Sequence, residues 1–143
     1  MQLSTRSRYG TRLMVDLALH YDQGPVRIND IAKRQDISVK YLEQLIIPLK
    51  KASLIRSVRG PKGGHMLAKP SADITIGDIV MLLENETSLA PCLKNPDVCD
   101  RTDTCFTRDI WKKLTKKIYD TLGTITLWDV IKTNRKKGRN QTL

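Results

Sequence analysis

Two apolar stripes of helical period stand close together between residues 28 and 49, with room between them only for a turn. The first holds Ile28, Ile31 and Ala32; the second holds Leu42, Leu45, Ile46 and Leu49. Apolar residues three and four apart line one face of a helix. Asp36-Ile37 parts the stripes, and Ser38 suits the N-cap of the second, because its hydroxyl can accept from N–H groups that the first turn leaves unpaired. Two short helices joined by a turn of about four residues make a helix-turn-helix. Leu54-Ile55-Arg56-Ser57-Val58-Arg59 then reads as a strand, Gly60-Pro61-Lys62-Gly63-Gly64 as a turn and His65-Met66-Leu67-Ala68 as the return strand. A hairpin there, over about 54–69, is a wing. Pro48 has no N–H and crowds the carbonyl of Gln44, so a kink or an early end is expected in the second helix.

The flanking segments complete a mostly α chain. A first helix starting near Ser7, with Ser4 and Thr5 as caps, carries Leu13, Met14, Leu17, Ala18 and Tyr21 at core spacing, and Gln23-Gly24-Pro25 stops it. Thr75 with Asp78 fits a capping box, and Ile74 with Ile79 its hydrophobic staple, for a helix to about Glu84. Residues 85–106 read as an irregular loop. Thr107 then caps a long helix with Trp111, Leu114, Ile118 and Leu122 on one side, Lys112, Lys113, Lys116 and Lys117 on the other, and Gly123 at its end. Thr126 and Asp129, with Ile125 and Val130, repeat the box and staple for a last helix. The long apolar side exceeds what so small a domain needs for its own core, and exposed apolar stripes seek a partner. The expected organisation is a winged helix-turn-helix over 1–84, a cysteine-containing sensor loop over 85–106, a dimerisation helix and C-terminal helix over 107–134, and a basic, disordered tail over 135–143.

Charge is segregated along the chain. Residues 1–69 carry 13 Lys+Arg against 5 Asp+Glu, a net of +8. Residues 70–107 carry 2 against 7, a net of −5, and residues 108–143 carry 10 against 3, a net of +7. The whole is +10, which points to an anionic partner, nucleic acid or a membrane surface. No apolar run approaches the ~20 residues that cross a bilayer, and the N-terminus has no apolar stretch of signal-peptide type. A cytoplasmic protein with no membrane contact is expected. Three cysteines in a reducing compartment argue against a disulfide framework and favour metal binding or thiol chemistry.

A helix-turn-helix puts the start of its second helix into the major groove. Here that start is Ser38, Val39, Lys40 and Tyr41, followed by Glu43 and Gln44. Gln pairs with adenine and Glu accepts from the cytosine amino group. These side chains would equally make a solvated helix face, but the wing adds a second basic feature. Arg59 and Lys62 flank a turn that starts at Gly60, and an Arg on a thin loop suits a narrow, negative minor groove. The glycine spacing does not fit a Walker nucleotide loop.

Cys92, Cys99 and Cys105 lie within fourteen residues, among Asn95, Pro96, Asp97, Asp100 and Asp103. Their spacing is open to an iron–sulfur cluster, to zinc or to free thiols: clusters take thiolates, mostly four of them, and zinc accepts three Cys with a fourth ligand. With two His, neither near this loop in sequence, a metallohydrolase is not expected, nor is a small-molecule substrate.

Ile28-Asn29-Asp30-Ile31-Ala32, Ser38, Tyr41-Leu42-Glu43-Gln44-Leu45 and the run from Leu54 to Gly64 closely resemble the winged-helix regulator family of the iron–sulfur regulator IscR and the nitric-oxide sensor NsrR. The resemblance covers nearly the whole chain and is looser after Glu86. It implies a homodimeric transcriptional regulator on a roughly palindromic double-stranded DNA operator, with Glu43 and Gln44 at base edges and Arg59 in the minor groove. It also implies that Cys92, Cys99 and Cys105 hold a 2Fe–2S or 4Fe–4S cluster, with zinc the less favoured metal. Family members complete the ligand set either with a His three residues after the last Cys or with an acidic residue from the partner's first helix. Those positions hold Arg108 and Arg8 here, which leaves Asp100, Asp103, Asp109 or a small exogenous thiol as the fourth ligand. Some family members have no cluster and answer to thiol chemistry or a partner protein.

Overall fold

A computed structural model describes residues 2–136. The part of the basic tail after Lys136 lies outside the described residues. Helix α1 (Thr5–Leu19) begins earlier than the apolar pattern suggests. Ser4 is its cap, with the Ser4 hydroxyl accepting from the Ser7 N–H at 3.1 Å, so Ser7 already lies in the first turn. Helices α2 (Ile28–Gln35) and α3 (Val39–Lys51) form the helix-turn-helix. Asp36 makes the turn in the left-handed region, at φ 52° and ψ 50°, a conformation Asp tolerates better than most residues. Ser38 caps α3, accepting from the Tyr41 N–H at 3.2 Å. The helix does not stop at Pro48 but runs on to Lys51. Leu42, Leu45 and Leu49 are buried on both sides of that residue, and this packing holds the last turn in place.

Strands β1 (Ile55–Val58) and β2 (Gly64–Leu67) pair antiparallel, with Ile55 opposite Leu67 and Val58 opposite Gly64. Val26, ahead of α2, adds a bridge to His65, each N–H donating to the other's carbonyl at 2.8 Å. A side chain at position 64 would collide with the Val26 carbonyl, its Cβ falling 2.3 Å from that oxygen, and Gly64 sits at φ 155°. The wing thus joins the helix-turn-helix on its inner strand.

Both capping boxes form. Thr75 and Asp78 exchange bonds of 2.9 and 3.0 Å at the start of α4 (Ile76–Leu83), and Thr126 and Asp129 exchange bonds of 3.0 and 3.1 Å at the start of α7 (Leu127–Lys136). The two starts lie side by side: the Ile76 N–H donates to the Ile125 carbonyl at 2.8 Å, and the Leu127 N–H to the Ile74 carbonyl at 2.9 Å. This pairing turns α7 back onto α1, burying Leu127 and Ile131 with Leu13, Met14 and Leu17. Arg135 and Lys136, expected in the tail, belong to α7 because the helix is anchored from this end.

Helix α6 (Arg108–Gly123) stands apart. Its end meets the start of α4 so closely that a Cβ on Gly77 would lie 2.9 Å from the Gly123 nitrogen, yet none of its residues is buried. Ile110 is 50% exposed, Trp111 40%, Leu114 44% and Ile118 38%. The segment before it is less irregular than expected, with a one-turn helix α5 (Pro91–Lys94) and a 3₁₀ turn at Pro96–Val98. No helix of the described residues is long and apolar enough to cross a membrane.

Candidate nucleic-acid interface and cysteine loop

The first turns of α3 present Ser38, Lys40, Glu43 and Gln44 to solvent. Val39 and Tyr41 do not share that freedom. Both are half-buried, and the Tyr41 ring stands edge-on to Tyr9 at 5.8 Å between centroids. The Arg12 guanidinium lies 5.3 Å from the centre of the Tyr9 ring, so α1 backs the start of α3 with an aromatic and cationic cluster. Pattern reading missed Tyr9 and Arg12, because their role depends on the approach of α1 to α3.

Under the helix-turn-helix lies a buried carboxylate. Asp16 of α1, 1% exposed, accepts two bonds from Arg34, at 3.0 Å from Nε and 2.7 Å from Nη2, and one from Gln35 Nε2 at 3.0 Å. Arg12 donates to the Gln35 side-chain oxygen at 3.1 Å and to its backbone carbonyl. The hydrogen bonds to Asp16 hold the Arg34 guanidinium above its ordinary pKa. This network locks α2 against α1.

Arg59, Gly60 and Lys62 are exposed at the wing tip. Gly60 has φ 111°, and its carbonyl accepts from the Gly63 N–H at 2.9 Å. A Cβ on Gly63 would lie 2.1 Å from the Val58 carbonyl, so the tight tip needs glycine there. Beneath it the Ser57 hydroxyl and His65 Nδ1 are 2.9 Å apart across the strands. Burial pushes the His65 pKa below its usual value; the Lys50 charge adds to this and Glu43 opposes it. Below about pH 6.5 the unfolded chain therefore binds more protons at this residue than the folded one, and stability falls as pH drops through that value. We expect urea midpoints to fall between about pH 7.5 and pH 5.5, and to fall less for His65→Gln; equal losses would contradict this assignment.

In the cysteine loop, Cys92 and Cys105 are half-buried and Cys99 is exposed. Among the described residues, no three His, Cys, Asp or Glu side chains are gathered as a metal-holding group, so the three thiols share a loop but not a preformed cage. Thr107 holds the N-cap position of α6 without capping it; its hydroxyl lies 3.4 Å from the Cys105 sulfur. That hydroxyl lowers the Cys105 pKa most, and the N–H groups of Thr107 and Arg108 and the Arg108 charge add to it. Arg108 Nη2 donates to the Cys92 carbonyl at 3.3 Å, tying α5 to the start of α6. Its Nε is buried with no hydrogen-bond partner among the described residues. An orphaned buried donor on the residue that binds the Cys92 backbone and whose charge acts on Cys105 suits an anionic group at this place, and an iron–sulfur centre held by thiolates is one.

Comparison with known proteins agrees with this geometry. A family model described as Rrf2, iron-dependent transcriptional regulator, matches residues 3–133. The chain is 47% identical to Protein rrf2 of Nitratidesulfovibrio vulgaris, over 92% of this chain and 88% of that protein. Among solved structures it resembles T. potens IscR, with a TM-score of 0.82 and 39% identity over 99% of this chain and 93% of that one. It also resembles CymR (YrzC), the global cysteine regulator of B. subtilis, with a TM-score of 0.76 and 33% identity over 91% and 95% of the two chains. A winged helix with an exposed polar face on α3, matched over nearly its whole length, makes this chain a member of the Rrf2 family of transcriptional regulators and not an enzyme.

Proposed function

We propose that the protein is a cytoplasmic homodimer that binds a specific double-stranded DNA operator and senses redox state, iron–sulfur supply or nitric oxide through Cys92, Cys99 and Cys105. The exposed Glu43 and Gln44 on the Ser38-capped end of α3 carry the DNA reading. A carboxylate beside phosphates is unfavourable unless it is matched to a base-edge donor, and Glu43 has no salt-bridge partner among the described residues. Ser38, Val39, Lys40 and Tyr41 place the helix end, while Arg59, Gly60 and Lys62 bring the wing to the backbone and minor groove. The test is selection of duplexes from a random library, followed by Glu43→Ala and Arg59→Ala. Arg59→Ala is expected to weaken the selected duplex by about 1–3 kcal/mol. Glu43→Ala is expected to change the selected sequence more than the affinity; an unchanged preference would refute base reading by Glu43.

For the sensor, the three thiolates would hold a 2Fe–2S or 4Fe–4S cluster, and the unpaired Arg108 Nε–H supports an anionic occupant. When bound, a cluster supplies a redox-active centre that oxidants and nitric oxide attack. Arg108 fixes the Cys92 backbone against α6, the helix proposed to pair the subunits, so ordering the loop would bear on half-site spacing. Anaerobic reconstitution is expected to load iron and sulfide into the wild type and not into Cys92→Ala, Cys99→Ala or Cys105→Ala. Equal iron in all four proteins, or zinc alone in the wild type, would overturn the cluster reading and leave DNA binding standing. The similarity to CymR and the ungathered thiols favour one second reading, a cluster-free regulator working through thiol chemistry or a partner protein.

A further inference from the structure

A wing tip built on three glycines has many conformations open to it, and fixing them on binding costs free energy. One side chain outside the hairpin holds the tip. Arg27, exposed at the N-cap position of α2, reaches across the cleft beside the turn and donates from Nη2 to the Pro61 carbonyl at 2.7 Å. Its neighbour Val26 makes the double bridge to His65, at 2.8 Å both ways. The same two residues thus tie both the return strand and the tip of the wing to the start of α2. Arg27 caps nothing with its side chain and has no salt bridge among the described residues. Lys62, Arg34 and Asp30 line the same cleft, and among the described residues the guanidinium pairs with the Pro61 carbonyl and not with the Asp30 carboxylate.

We propose that Arg27 is a positioning residue, a brace that presets the wing tip so that Arg59 and Lys62 meet DNA on the same rigid body as α3. The consequence for DNA rests on the proposed function; the brace itself can be read in the free protein. In DNA-free full-length protein, Arg27→Ala is expected to speed amide exchange at residues 59–64 while leaving the thermal midpoint and the exchange of α3 unchanged, and Arg27→Lys to recover part of the protection. On a duplex selected from a random library by the wild type, Arg27→Ala is expected to weaken binding about three- to tenfold, the cost of ordering the freed tip. In an Arg59→Ala/Lys62→Ala background the same change is expected to have less than about a twofold effect, because the tip no longer grips the duplex. Equal losses in both backgrounds, with a flatter salt dependence, would make Arg27 a direct phosphate contact and overturn the brace. Unaltered exchange at the tip would overturn it as well. Failure of the wild type to select any duplex would refute the DNA reading, and the exchange data alone would then decide the brace.

Discussion

Leu114→Asp is expected to turn the protein from dimer to monomer and to weaken its selected duplex by about 10²–10⁴-fold, the loss that follows when two linked binding events become independent. Leu114 lies on the α6 stripe with Ile110, Trp111 and Ile118, each at least 38% exposed, on a helix with no fully buried residue. In the proposed interface a charge there would remove an apolar contact and desolvate a carboxylate. Because the single-chain core lies elsewhere, the variant should keep its helical circular dichroism, which separates lost pairing from unfolding. Light scattering at micromolar concentration and anisotropy on the selected duplex check both halves. A Leu114→Asp protein that remains dimeric would show that α6 does not carry the interface.

Asp16→Ala is expected to cost about 2–3 kcal/mol of stability, because it removes the buried acceptor shared by Gln35 and a partly exposed Arg34. Arg34 would lose both its bonds and its counter-charge, and the buried Gln35 amide would lose its acceptor. Asp16→Asn keeps the shape and one acceptor but not the charge, and should fall between wild type and Asp16→Ala. Urea unfolding measures both. The damage would reach the DNA face, since α2 supports α3 and is itself pinned by this carboxylate. An Asp16→Ala protein within about 1 kcal/mol of wild type would mean that α2 is held by apolar packing alone.

Local chemistry was legible where neighbours in sequence decide the outcome. Ser38 capping α3, the boxes at Thr75 and Thr126, the glycines of the wing and the stripe of α6 each depend on residues within about one turn, and the structure shows each of them. Local reading could not choose where two local options compete. Ser4 and Thr5 both offered a cap, and the structure uses Ser4; its N–H also donates to Glu84 at 2.8 Å, a bond made 80 positions away. Thr107 had the composition of a cap but turned to Cys105 instead.

The sequence by itself determined the element types, the helix-turn-helix with its wing, and the segregation of charge, since all three follow from periodicity, capping and composition over short stretches. Only the tertiary structure decided which of those elements hold one another. Asp16 reads as one polar position in an amphipathic helix, yet it is the anchor of α2. Arg27 reads as an unremarkable residue before a helix, yet it grips the wing. Arg108 reads as a lost ligand, yet it ties the Cys92 backbone to α6 and keeps a buried, unpaired donor in the cysteine loop. Each of these roles is set by a partner 16 to 34 positions away, and a hydrogen bond across that separation depends on the path of the backbone between its ends, which no local pattern encodes.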